Sequence, residues 1–176
     1  MRKAKLFVFG LAGVLIVLLI VTSLLPNKVM TSRWVLIAAD KDSILRTVRD
    51  LQGWQRWNVL LQDASDIHIS PGGTATSSGT LMRWKNNRGK INQLKVTGLD
   101  EKGIVTEMQI DDSRPFTSGF SVEKRLADSV QVVWFVVENL KWYPWEKFYG
   151  MMASQVKGPY MQQSLDQLKV EIQRRD

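Results

Sequence analysis

The chain has no cysteine and only one histidine among its 176 residues. The absence of cysteine excludes disulfide bonds, thiolate catalysis and zinc sites built on cysteine. The sequence also lacks a glycine-rich phosphate-binding loop, because its one Pro-Gly-Gly segment, residues 71–73, has the composition of a turn. These absences remove several common kinds of enzyme site, and we expect no catalytic residue, no metal and no cofactor.

The few residues that could support acid–base or metal chemistry lack partners in the sequence. His68 alternates with isoleucines, which is typical of a strand, so a structural or surface role is favoured over catalysis. Asp63 and Asp66 precede it without a recognised metal-ligand spacing. Glu107 and Glu138 lie in strand-like segments, where solvent exposure is the favoured interpretation and a lone acid in a cavity is the alternative.

Positive charge is in excess, but it is not concentrated in one segment of the domain. The chain has 24 Lys and Arg against 17 Asp and Glu. Four of the basic residues come before Arg33, whereas all the acidic residues come after it. Beyond Arg33 acids and bases alternate, which is typical of a mixed solvated surface, whereas a nucleic-acid-binding protein concentrates Lys and Arg on one face. We therefore expect no nucleic-acid partner.

The most informative feature that is present is an apolar run of 20 residues from Leu6 to Leu25. At about 1.5 Å per residue such a helix is about 30 Å long, which matches the hydrocarbon core of a bilayer. The run exceeds the roughly 7–15 apolar residues of a signal peptide, and no small-residue cleavage site precedes Pro26. A transmembrane anchor is therefore favoured over a cleavable signal.

The charges around this run predict its orientation. Arg2, Lys3 and Lys5 flank one end, and only Lys28 and Arg33 lie near the other. Because positive charge near a span stays in the cytoplasm, the amino terminus is predicted inside and the remaining chain outside. In a bacterium this describes a single-pass protein of the inner membrane with a periplasmic domain.

The rest of the chain predicts one domain of strands and helices. We divide the chain into an anchor (1–26), a short tether (27–32) and a domain (33–176). The segments expected in the domain are a strand (33–39), helices (41–51 and 54–61), six strands (67–70, 79–85, 91–99, 104–110, 117–125 and 129–138) and a long helix with a bend at Gly158-Pro159 (145–174). Short turns between the six strands favour antiparallel neighbours. An α+β fold with a seven-stranded curved antiparallel sheet around the long helix follows.

Four stretches of residues punctuate this order of elements. They are residues 25–29, residues 38–40 with 48–57, residues 131–134, and residues 148–150 with 158–160 and 165–169. In this order and at these separations they resemble the helix-grip fold of the polyketide cyclase/START-like (SRPBCC) superfamily, and in particular membrane-anchored proteins described as polyketide cyclase-like. The resemblance spans nearly the whole chain.

The resemblance implies a cavity between sheet and long helix, and hence a function. We expect a non-enzymatic, membrane-anchored domain that binds an apolar or lipid-like molecule at the outer face of the membrane. The alternative is an accessory subunit of a membrane protein complex with no ligand of its own. The residues expected near the cavity are Trp84, Trp134, Phe148, Met151 and Met152. Plain core packing is the more ordinary role for such side chains.

Overall fold

The computed structural model describes residues 2–71, 74–75, 77–126 and 129–174. The helices are α1 (Arg2–Leu24), α2 (Lys41–Arg49), α3 (Trp54–Trp57) and α4 (Pro144–Gln173), with a 3-10 turn at Val59–Leu61. The strands are β1 (Lys28–Ile37), β2 (Ser65–Ser70), β3 (Leu81–Lys85), β4 (Ile91–Asp100), β5 (Gly103–Gln109), β6 (Phe116–Leu126) and β7 (Ser129–Asn139). The predicted order of strand, two short helices, six strands and a long helix is confirmed.

The seven strands form one antiparallel sheet in the order β1-β7-β6-β5-β4-β3-β2. Strands β2 to β7 are neighbours in chain order because short turns join them, as antiparallel pairing allows. The first strand instead pairs with the last one, with Lys28 opposite Asn139 and Ile37 opposite Val130. The curved sheet and the long carboxyl-terminal helix confirm the helix-grip architecture.

Aromatic side chains fill the space between the sheet and the helices that cover it. Trp134 belongs to the buried half of the alternation along β7 and stacks on Phe120 with ring centroids 5.1 Å apart. The Phe120 ring in turn meets Trp54 and Trp57 edge-on, at 5.4 and 5.5 Å. Such edge-on and offset pairs are favoured by the ring quadrupoles. This part of the interior is therefore packed core.

The boundaries differ from the sequence predictions mainly at the first strand. Asp40 caps α2 as expected, since its carboxylate accepts hydrogen bonds from the backbone N–H groups of Asp42 and Ser43. However, β1 begins at Lys28 rather than Arg33. Residues 28–32, expected to be a tether, are thus paired with β7, because the hydrogen-bonding edge of β7 extends to Asn139. The domain consequently follows α1 almost directly.

The long helix α4 packs against β1 through small residues. It is one continuous helix that includes Pro159, and the bend expected at Gly158-Pro159 stays a prediction. The guanidinium of Arg33 lies over Gly158, and its Nη2 donates to the carbonyl and the hydroxyl of Ser154, both at 3.1 Å. A Cβ at position 158 would lie 2.1 Å from that nitrogen. Glycine is therefore required for the observed position of Arg33.

Candidate functional site

A pocket of about 480 Å³ opens at one end of the sheet. Its walls are the turn between β5 and β6, the end of β7 with the residues that follow it, and the first turns of α4. The apolar part of the lining comes from Pro115, Phe116, Leu140 and the ring of Trp145. A pocket of this size is within the range of small-molecule sites in proteins.

An ion pair spans the rim of this pocket. The guanidinium of Arg114 contacts the carboxylate of Glu146, and it also donates to the carbonyl oxygen of Asn139 at 3.3 Å. The backbone N–H of Lys141 donates to the same carboxylate at 2.8 Å. This N–H group, and after it Arg114, lowers the pKa of Glu146 below its ordinary value. Glu146 is therefore held as a carboxylate, and the pair joins the β5–β6 turn to α4.

A second ion pair, more deeply placed, lies behind the pocket wall. Glu138, at the end of β7, pairs with Lys157 of α4, and their side chains are only 17% and 9% exposed. The ammonium of Lys157 also lies 4.8 Å from the centroid of the Phe116 ring, a cation–π distance. A buried charge needs such partners because desolvation is costly. The floor of the pocket therefore contains two opposite charges that neutralise each other.

Two tyrosines near this pair remain protonated well into alkaline pH. Tyr149 lines the pocket, and burial followed by the negative charge of Glu138 raises its pKa. The same two causes, in the same order, raise the pKa of Tyr160 above its usual range. The Tyr149 hydroxyl is therefore a neutral group able to donate or accept a hydrogen bond at the pocket wall.

The pocket wall is joined directly to the end of α1. Lys147 of α4 is only 2% exposed, and its ammonium donates to the carbonyl oxygens of Leu25 at 3.0 Å and Pro26 at 2.9 Å. The backbone N–H of Leu140, which lines the pocket, donates to the carbonyl of Asn27 at 2.7 Å. These bonds pair the backbone carbonyl groups of the three residues that follow α1. The pocket and the end of the apolar helix thus share one hydrogen-bonded unit.

Close packing at Gly150 tightens the same junction. A Cβ at this position would lie 2.3 Å from Cδ1 of Leu140 and 3.0 Å from Cγ2 of Val29. Only a residue without a side chain lets α4 approach the start of β1 this closely. The first turns of α4 are therefore fixed against both β1 and the pocket wall.

The five residues predicted from sequence are divided between two environments. Trp84 and Trp134 are each 1% exposed, and the indole N–H of Trp134 donates to the hydroxyl of Ser118 at 2.8 Å. Phe148, Met151 and Met152 are 47%, 55% and 54% exposed on α4. The structure therefore does not bring the five together around the pocket described above, and their role in binding stays a prediction.

The polar residues of the pocket were only partly foreseeable. Glu138 lies two residues beyond Val136 and four beyond Trp134, so the alternation along β7 places it on the inward face. The favoured expectation that Glu138 is exposed is therefore wrong, because its carboxylate lies in the pocket lining and pairs with Lys157. By contrast, Glu107 is exposed, and so is His68 on β2. Arg114, Glu146 and Lys157 carry no such signal because their partners are distant in sequence.

A second concavity, of about 600 Å³, lies at the other end of the sheet between α2 and the β4–β5 turn. Some of its polar groups have local partners. Arg49 donates to the carbonyl oxygen of Asp100 at 2.6 Å, and the Asp50 carboxylate accepts from the N–H of Gly53 and pairs with Arg56. Although this concavity is larger, none of its lining residues is hydrogen-bonded to the segment after α1, whereas Leu140 of the smaller pocket is, so the smaller pocket is the better candidate.

Among the residues that the structure describes, no group of three or more His, Asp or Glu side chains could hold a metal ion. No family profile matches the sequence, and no curated protein matches it either.

Solved structures with the same fold do match. A START superfamily protein from Mycobacterium smegmatis superposes with a TM-score of 0.61 at 20% identity, covering 84% of this chain and 99% of that one. Norcoclaurine synthase from Thalictrum flavum, solved in complex with dopamine and hydroxybenzaldehyde, gives 0.64 at 14% identity, covering 85% and 88%. A hypothetical protein from Helicobacter pylori gives 0.59 at 15%, covering 81% and 86%. The chain therefore has the START-like fold.

Proposed function

We propose that this protein is a single-pass membrane protein whose domain binds an apolar or lipid-like small molecule, without catalysis, at the outer face of the membrane. The ligand site is the pocket between the β5–β6 turn, the end of β7 and the first turns of α4. The observation that carries this proposal is the hydrogen bonding of Lys147 to the end of α1, because it places the pocket wall beside an apolar helix.

The composition of the pocket favours an amphipathic ligand. Phe116, Leu140 and Trp145 offer apolar surface, whereas the Arg114–Glu146 pair and the Tyr149 hydroxyl offer polar contacts at the rim. Ligand pockets typically combine a mainly apolar wall with a few placed polar groups. The Thalictrum flavum enzyme shows that this fold holds aromatic small molecules such as dopamine, which supports a ligand of comparable size.

The anchor gives the pocket its location. Residues Phe7–Leu24 of α1 form a window long and apolar enough to cross a membrane, and 6% of it is buried in the structure. The helix end is integrated into the domain through Lys147, whereas a cleavable signal would leave these bonds unmade. The positive charges of Arg2, Lys3 and Lys5 favour a cytoplasmic amino terminus, which supports an external position of the domain.

Binding rather than catalysis is favoured by the state of the charged groups. A general base must lie within hydrogen-bond reach of the substrate proton that it abstracts. The carboxylate of Glu138 is held by Lys157, and that of Glu146 by Arg114 and a backbone N–H group. These contacts favour a structural and recognition role for both carboxylates.

The direct test is native mass spectrometry of the full chain purified from its own membrane in mild detergent. A reproducible bound molecule is expected, and Pro115→Trp should remove it by filling the pocket from its exposed rim. Ile91→Trp is the matched control, because Ile91 is 65% exposed on β4 and lies outside the pocket lining. Equal occupancy in the two variants would contradict this location of the site.

The role of an accessory subunit is favoured by a different observation. Met30, Trp34 and Leu36 are 63%, 56% and 38% exposed on the outer side of the edge strand β1. Exposed apolar groups of this kind mark protein contacts when they form a continuous patch. A membrane protein that co-purifies in equal amount, and is lost in Trp34→Ser without a change in bound small molecule, would support this second function.

A further inference from the structure

The first four turns of α4 carry an apolar face that the domain does not cover. Trp145, Phe148, Met152 and Val156 lie on one side of the helix, at spacings of three and four residues, and are 68%, 47%, 54% and 55% exposed. The buried side of the helix is the opposite one, which carries Gly150 and Lys157; Gly150 packs there against Val29 of β1. This half of α4 therefore has an exposed apolar face as well as a buried face. A surface helix of a water-soluble domain typically has a polar face toward the solvent.

This apolar face ends within the helix. Beyond Pro159, the exposed positions are mostly polar, as at Gln163 and Asp166, and Val170 is the one large apolar side chain exposed there among the described residues. The face also extends backwards, since Trp142, just before α4, is 67% exposed. The apolar surface thus coincides with the half of α4 that lies nearest to α1.

The distance from this face to the bilayer follows from the contacts of Lys147. The apolar run that ends at Leu25 spans about 30 Å as a helix, so Leu25 lies at the boundary of the hydrocarbon core when α1 crosses the membrane. The Lys147 ammonium is 3.0 Å from the Leu25 carbonyl oxygen. Trp145 and Phe148 lie within one 5.4 Å turn of Lys147, and Met152 is a little beyond one turn. Their side chains lie on the other side of α4 from Lys147, so they are within one helix diameter, about 10–12 Å, of the headgroup layer.

We propose that the apolar face of α4, with Trp142, is seated in the interfacial layer of the same bilayer that α1 crosses. This inference rests on the proposed anchoring of the protein. Tryptophan and tyrosine are enriched at this depth of a membrane, and an apolar helix face rich in Trp and Phe buries there. Because Trp145 and Tyr149 also line the pocket, its mouth borders the lipid, and the ligand is a membrane amphiphile that exchanges with the bilayer.

The absence of cysteine makes a depth measurement direct, because any single cysteine can be labelled alone. The full chain carrying Met152→Cys is labelled with the polarity-sensitive fluorophore NBD. It is then reconstituted into vesicles of phosphatidylethanolamine and phosphatidylglycerol. Val170→Cys is the matched control, since it lies 18 residues further along α4, about five turns, on the same side and 46% exposed. Val14→Cys, in the middle of α1, reports on the anchor itself.

The proposal expects blue-shifted NBD emission at position 152, with quenching by nitroxide-labelled lipid, and water-like emission at position 170. Water-like emission at both positions, with position 14 quenched, overturns the seating of α4 while leaving the anchor intact. Blue-shifted but unquenched emission at 152 also overturns it, because a second copy of the chain would then cover the face. Water-like emission at position 14 overturns the anchoring and the inference with it.

Discussion

Replacing Lys147 with methionine should loosen the attachment of the domain to the end of α1. Methionine keeps much of the length and apolar volume of the lysine stem, but it removes the ammonium that contacts Leu25, Pro26 and the side chain of Asn27. The change therefore isolates the hydrogen bonds from the packing around them.

The expected cost follows from the groups left behind. The lysine is 2% exposed, so its removal also recovers the desolvation cost of a charge, and summing three charge-assisted bonds would overstate the effect. What remains is two backbone carbonyl groups without a donor, at about 1–3 kcal/mol each. A net loss of about 2 kcal/mol in the stability of the junction is the conservative expectation.

The assay is amide hydrogen exchange of the full chain in vesicles. The N–H of Leu140 is the reporter, because it donates to the Asn27 carbonyl at 2.7 Å within the junction. A loss of about 2 kcal/mol corresponds to exchange roughly 30-fold faster. Lys141→Met is the control, since Lys141 is exposed and its ammonium lies 5.4 Å from the centroid of the Tyr143 ring, away from the carbonyls of Leu25 and Pro26 that Lys147 binds. Unchanged exchange at Leu140 in the Lys147→Met variant would refute the reasoning.

Three further predictions concern the sheet, the rim and the topology. Gly103→Ala places a Cβ 1.8 Å from the carbonyl oxygen of Phe120, so the free energy of unfolding should fall by at least about 2 kcal/mol, seen as a lower urea midpoint. Gly98→Ala should leave the midpoint nearly unchanged. The pKa of Glu146 is lowered in the folded state, so its carboxylate stabilises the fold fully above the ordinary pKa of 4.5. This stabilisation is lost as pH falls through the lowered pKa. Glu146→Gln should therefore make the free energy of unfolding less dependent on pH in this acidic range. A reporter active only outside the cytoplasm should be active after Asp176.

Each of these predictions has a contradicting result. Equal midpoints for the two glycine variants would mean that β5 and β6 are further apart than the register shows. An acid-stability curve that is unchanged in the Glu146 variant would remove the rim ion pair as a source of the pH dependence. Activity restricted to a cytoplasmic reporter would reverse the assigned orientation of α1.

The element order could be predicted because its signals are local. Alternation with a period of two, interrupted by turn residues such as those at 86–89 and 100–103, predicts antiparallel strands wherever the chain folds them. The apolar run of α1 and the Asp40 cap of α2 are likewise contained within a few residues. The resemblance to a helix-grip fold depended on the order of these local signals, and the structure has that fold.

The start of β1 could not be predicted from local residues. Lys28 to Ser32 have no strong alternation, and they are a strand because β7 offers them a free edge. The pocket depends on similar distant pairings. Glu138 meets Lys157 across the sheet and helix, and Arg114 meets Glu146 across 32 positions of sequence. No pattern within one segment contains such partners.

Helix α4 shows where sequence determines structure and where the tertiary fold decides. Its composition determined that it is a long helix with aromatic and methionine residues in its first half. However, two sides of that half are available to the sheet, and hydrophobicity alone favours the side of Phe148 and Met152. The fold instead buries the side of Gly150 and Lys147, because close approach to β1 and the backbone carbonyls that follow α1 require small and hydrogen-bonding residues there. Which side of α4 is buried depends on the surface formed by β1 and the segment after α1, and that surface exists only in the folded protein.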